Sequence, residues 1–99
     1  MSEALQHLER ELAHARQTGC GVVKLIHGYG STGAGGDIRI AVQKRLAEMT
    51  DRGETRAFIF GESWSKSDEH AWALINARPE LKQDHDLGRR NLGITIVVL

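Results

Sequence analysis

Cysteine, proline and aromatic residues are all scarce: the 99-residue chain has one Cys, one Pro, two Trp, two Phe and one Tyr. Cys20 alone cannot form an internal disulfide or build a thiolate-rich metal site, which excludes a disulfide scaffold and a structural zinc centre. No stretch approaches the roughly 18 uninterrupted apolar residues of a membrane span, and the opening MSEALQHLER has neither the basic start nor the apolar run of a secretory signal. The expectation is a cytoplasmic protein with no membrane partner. Excess charge of either sign is also missing, since 13 Lys and Arg balance 13 Asp and Glu. A domain drawn to nucleic acid by its overall charge is thereby excluded, so any such binding has to use a local patch. Residues 21–53 hold a small basic excess, Lys24, Arg39, Lys44, Arg45 and Arg52 against Asp37, Glu48 and Asp51.

What is present describes one soluble globular domain over residues 1–99, with 40% hydrophobic and 26% charged residues. Leu5, Leu8, Leu12 and Ala15 recur at helical spacing and predict an amphipathic helix from about Ser2 to Gln17, stopped by Gly19. His7 and His14 fall seven apart, off that stripe, and read as solvated, with a metal pair as the second reading. Val22-Val23-Lys24-Leu25-Ile26 reads as a strand, and Asp37 is placed to cap a helix to about Thr50 with Ile38, Val42, Leu46 and Met49 inward and Gly53 at its end. Arg56 to Phe60 reads as a second strand. A third helix follows, capped by Ser65 or Ser67 and closed by Pro79, with Trp72, Leu74 and Ile75 as its buried residues. Gly93 to Leu99 is the strongest strand signal in the chain. The order α-β-α-β-α-β predicts a two-layer or three-layer α/β domain around a small sheet.

Between the first strand and the second helix lie five glycines in nine residues, Gly28-Tyr29-Gly30-Ser31-Thr32-Gly33-Ala34-Gly35-Gly36. A dinucleotide fingerprint is rejected because Gly35-Gly36 intervene before Asp37, and a nucleotide P-loop because no Lys-Ser/Thr follows Gly33. What survives is backbone N–H groups at a helix start, which attract phosphate, with Lys24, Arg39, Ser31 and Thr32 adding contacts. The alternative is that these glycines only make a long connection. His27 beside the loop can serve general acid–base chemistry, or simply be a structural hydrogen-bonding group at a strand end. Asp84-His85-Asp86 reads as a solvated loop rather than a metal cluster. Of the aromatic residues able to stack on a base, Trp64, Trp72 and Tyr29, the second is expected in the core and Tyr29 outside.

From Val23-Lys24-Leu25-Ile26-His27-Gly28-Tyr29-Gly30 through Gly35-Gly36 to Ile38-Arg39, the sequence resembles the Small MutS-Related (Smr) domain family, whose central signature is a strand ending in His-Gly-x-Gly before a glycine-rich turn and a helix. Asn91-Leu92-Gly93-Ile94-Thr95-Ile96-Val97-Val98-Leu99 is similar to that family's closing strand, so the likeness spans essentially the whole chain. The resemblance implies a small two-layer α/β sandwich similar to the C-terminal domain of bacterial translation initiation factor three, here with a mixed three-stranded sheet. It also implies binding of DNA or RNA, with endonuclease or nicking activity in some members. Carried over by position are His27, Gly28 and Gly30 of the motif, and Arg39 at the start of the next helix. Smr domains usually open with a strand ending in Leu-Asp-x-His-Gly, and Ser2-Glu3-Ala4-Leu5 already matches the helix after it. That departure removes the usual partners of His27 in cleavage and implies a vacant sheet edge, through which a homodimer is expected.

Three functions follow from these readings. The first is a nucleic-acid-binding module that holds backbone phosphates through Lys24, Gly28, Tyr29, Gly30, Ser31, Thr32, Gly33, Gly35, Gly36 and Arg39. The second is an endonuclease, a hydrolase using His27 as general acid or base. The third is a non-catalytic protein-interaction domain. No cofactor is implied, and no ligand motif supports a divalent metal such as magnesium.

Overall fold

The computed structural model describes residues 2–27 and 34–99, giving the backbone alone at 2–4 and 34–38. Helix α1 (Ser2–Gln17) leads to strand β1 (Val22–Ile26), helix α2 (Ala34–Asp51), strand β2 (Ala57–Phe60), helix α3 (Glu69–Ala77) and strand β3 (Ile94–Val98), with 3-10 turns at Gly61–Ser63 and Pro79–Gln83. The leucine stripe closes α1 onto the sheet, with Leu8, Leu12 and Ala15 buried. Helices α1 and α2 both end in a left-handed glycine, Gly19 (φ 81°) and Gly53 (φ 78°). In each case two backbone bonds satisfy the last turn: Gly19 N to Arg16 O with Cys20 N to Ala15 O, and Gly53 N to Thr50 O with Glu54 N to Met49 O.

The strands form one sheet in the order β1-β3-β2. β3 is antiparallel to both neighbours, pairing Leu25 with Thr95 on one side and Ile59 with Ile96 on the other. The sheet is therefore antiparallel rather than mixed. β1 and β2, separated by α2, do run the same way, but β3, separated from β2 by α3, runs against both, inserts between them and takes every ladder bond that a parallel pair would have shared.

Alternation along β3 divides the core. Val97 packs with Leu8, Leu12, Leu25, Val42, Leu46 and Met49 under α1 and α2. Ile94 and Ile96 point the other way, against Ile59, Trp64, Ala71 and Ile75. The expected small α/β sandwich thus carries a third layer, α3 with its flanking turns, because a strand apolar at successive positions needs cover on both faces.

Three local expectations are corrected. Helix α2 starts at Ala34, so Gly35 and Gly36 are helical and Asp37 lies in the first turn rather than capping it. The cap of α3 is Asp68, whose carboxylate accepts from Ala71 N at 3.0 Å, in place of Ser65 or Ser67. Trp72, expected in the core, is 41% exposed, and the fully buried tryptophan is Trp64. Ala71 and Ile75, four apart, supply the inward face of the short helix, and Trp72 follows Ala71 out of it.

Trp64→Ala is expected to cost about 3–5 kcal/mol, as for large core truncations, whereas Trp72→Ala costs under about 1 kcal/mol. Guanidinium unfolding of the two variants checks the assignment.

Candidate functional site

β1 distributes its side chains by strict alternation. Val23 and Leu25 face α1 and α2, and His27, one step past the strand, falls on the same side. Its backbone N donates to Gly93 O at 2.9 Å, and its Nε2 lies 3.0 Å from the Oγ1 of Thr95, a residue with no exposed surface. Thr95 thus orients the imidazole from the central strand. A cavity of about 220 Å³ adjoins it, lined by His7, Leu8, Glu11, Leu25, Ile26, His27 and Val42.

Lys24 takes the opposite face. Its Nζ donates to Asp84 Oδ1 at 3.0 Å and to Asp86 Oδ2 at 2.7 Å. Trp64 Nε1 donates to Asp84 Oδ2 at 2.9 Å, and Asn91 Nδ2 to Asp86 Oδ1 at 3.0 Å. Asp84 and Asp86 are therefore no solvated loop: they turn inward because a half-buried ammonium on the sheet needs acceptors there. The ammonium is held above its ordinary 10.5, chiefly by the Asp86 hydrogen bond. Burial works to raise Asp84, but donation from Trp64 and Lys24 outweighs it, and Asp86 is lowered mainly by Lys24 and then Asn91, so both carboxyls lie below 3.8. Lys24 and His27, expected in one site, are on opposite faces, and the lysine is committed to the fold.

Arg39, on the second turn of α2, pairs through Nη2 with Oε2 of Glu62 in the turn after β2. Arg39 Nε and Glu62 Oε1 are buried without a hydrogen bond among the described residues. That turn is pressed onto the loop before β3, since a Cβ on Gly61 would stand 1.8 Å from Asn91 O. Arg89 and Arg90 project from the same loop, both exposed, and Arg90 has the left-handed φ of 54°. Anchoring by Asn91, whose Oδ1 accepts from Gly93 N at 2.8 Å, holds that strained turn in place. Gly28, Tyr29, Gly30, Ser31, Thr32 and Gly33 lie outside the described residues, while Gly35 and Gly36 form the amino end of α2.

No family model matches the chain, and neither a curated protein nor a solved structure is significantly similar to it. The site therefore stands on its own geometry. Sequence reasoning missed Thr95, Glu62, Arg89 and Arg90 as neighbours of this end of the sheet, and nothing local could pair residues so far apart. It also missed His7 with Glu11, whose i,i+4 spacing was visible; their Nε2 and Oε1 are 2.9 Å apart. Among the described residues no group of three metal-ligating side chains occurs, and no helix is long and apolar enough to cross a membrane.

The Lys24 network sets a pH dependence. Folded Asp84 and Asp86 bind protons more weakly than in the unfolded chain, so their contribution is complete above the ordinary carboxylate value and is lost as pH falls through the folded values below 3.8. Folded Lys24 binds its proton more tightly, so its contribution is complete below 10.5 and is lost as pH rises through its higher folded value. Lys24→Met is expected to lower stability by about 1–3 kcal/mol near neutrality by stranding two carboxylates, and to flatten both limbs of a stability-versus-pH curve measured by urea unfolding.

Proposed function

We propose that the protein is a nucleic-acid-binding module that grips backbone phosphate at the end of the sheet where β1 and β2 both finish. The observation that carries the reading is convergence: two strands of the same direction end there, α2 begins there, and the glycine-rich segment joins β1 to that helix. The amino end of a helix favours an anion. Arg89, Arg90 and Arg39 border this end, with His27 at its edge. The loop contacts expected of Gly28, Tyr29, Gly30, Ser31, Thr32 and Gly33 belong to this reading, as does the amino end of α2 at Gly35 and Gly36. Lys24 drops out of it. The resemblance to the Smr family supports the same reading through His27-Gly28-Tyr29-Gly30.

A chain with no net charge binds through this one patch, so affinity is modest and falls with salt. Anisotropy of labelled single-stranded RNA, single-stranded DNA and duplex DNA against protein should give a linear decline of log affinity with log salt. Replacing Arg89 and Arg90 together by Ala should weaken binding to every sequence alike and reduce that slope by about 1–2. Absence of binding to all three at 50 mM salt overturns the reading. A second reading, a protein-interaction domain, draws on Ile26, which is 79% exposed at the end of edge strand β1. It predicts a partner-chain or homodimer contact there, seen as a solution mass above one chain at tens of micromolar and lost in Ile26→Lys.

A further inference from the structure

We infer that the outer edge of β2 docks another protein, which adds an extended segment of aliphatic and acidic residues to the sheet as a further strand. The inference stands apart from the phosphate grip and from Ile26 on β1, because β2 is the opposite edge of the sheet. Residues along a strand turn their main-chain groups alternately to the two sides. Flanking β3, Gly93 O accepts from His27 N and Leu99 N donates to Gly21 O, so Thr95 and Val97 also turn to β1 while Ile94, Ile96 and Val98 turn to β2. Ile96 meets Ile59 and Val98 meets Ala57, which leaves the N–H and C=O of Phe58 and Phe60 facing outward. Neither residue has a main-chain partner there among the described residues. Edge strands are commonly blunted by lysine or proline, and Ala57–Phe60 contains neither.

A groove of about 520 Å³ runs beside this open ladder. Phe58 and Ile59 form one wall, and His70, Ala73 and Leu74, a stripe at helical spacing on α3, form the other. A hollow of about 140 Å³ shares Phe58, Ile59 and His70 and continues past Phe60 to Asp68. A trough lying along unpaired main-chain groups fits an extended chain, which takes affinity from the ladder and specificity from alternate side chains. On the α3 side those side chains meet Ile59, Ala73 and Leu74 and are therefore aliphatic; on the other side they lie over the rings of Phe58 and Phe60, whose centroids are 5.3 Å apart. Charge fixes the remaining feature. Arg56 and His70 line the groove with no carboxylate partner among the described residues, whereas Asp68 spends its carboxylate on Ala71 N. The segment that fits carries Asp or Glu at its Arg56 end. A second copy of β2 supplies no such residue, since Ala57–Phe60 is uncharged and the next carboxylate, Glu62, is paired with Arg39.

The experiment selects a phage-displayed library of random peptides on the whole chain, and the enriched sequence is synthesised with a fluorescent label for anisotropy. We expect alternating aliphatic residues with Asp or Glu at one end. Methylating alternate main-chain nitrogens of the peptide should abolish binding in one phase and leave it unchanged in the other, because only one phase faces β2. Phe60 has φ −65°, the value proline fixes, so Phe60→Pro removes one outward donor and keeps the strand. It should weaken binding about 3–10-fold more than Phe60→Ala, which loses the ring alone. Arg56→Glu should weaken binding, and a peptide with Lys in place of its acidic residue should restore it. Ala73→Glu, an exposed position on the groove wall, should remove binding while thermal unfolding matches the parent chain. The inference is overturned if no selected peptide has a Kd below about 1 mM, if the phase of methylation makes no difference, or if Ala73→Glu binds as well as the parent. A solution mass of two chains that returns to one in Phe60→Pro also overturns it, by placing a second copy on this edge.

Discussion

The bridge from Lys24 to Asp84 and Asp86 is the constraint on which the second half of the molecule depends. An ammonium on the inner face of a strand is costly without acceptors, and the two carboxylates arrive from a connection about 60 residues further along the chain. In doing so they pull that connection over the sheet. Asp84 takes the indole N–H of the fully buried Trp64, and Asp86 holds Asn91, which fixes the approach to β3. Loss of the bridge would leave one buried and one part-buried carboxylate, one indole donor and the turn at Arg90 without their shared support. The third layer of the sandwich is thus anchored by polar contacts at its margin as much as by Ile59, Ala71, Ile75 and Ile96 in its centre.

A second pair of charges works at the other junction. Arg39 and Glu62 tie the amino-terminal part of α2 to the turn following β2, with one polar atom of each buried and without a hydrogen bond among the described residues. This pair lies at the end of the sheet that carries the proposed phosphate grip.

Much of this fold was legible in residue order. Helical spacing of Leu5, Leu8, Leu12 and Ala15, the glycines after α1 and α2, and the β-branched runs at 22–26 and 94–98 all specify local structure through local physics, and each element formed where they indicated. Strand order and direction are set by which apolar faces can be covered at once, and nothing within a few residues encodes that β3 sits between β1 and β2. The misplacement of Trp72 has the same origin: it lies one step round a short helix whose inward face was already filled by alanine and isoleucine, while the buried Trp64 follows the turn after β2. The place of His27 at the end of β1 was legible from its position between the β-branched run and the glycines. Thr95 as its partner was not, because a cross-strand contact over 68 positions exists only once the register is set. Lys24 was misread for the same reason, its alternation placing it away from His27 while its acceptors lay far along the chain.

Central placement of β3 has a consequence for how the chain reaches this structure. Strands β1 and β2 share no ladder, so neither has a hydrogen-bonded neighbour until β3 enters between them. During synthesis the last strand to emerge is the one both others wait for, and the loops that its pairing closes are long, which places folding among the slower, non-local topologies. Until then the nascent chain exposes two strand edges and the apolar faces of α1 and α2 together. Assembly of the sheet is consequently one late cooperative event, and the proposed grip, built where β1 and β2 end, comes into being only with it.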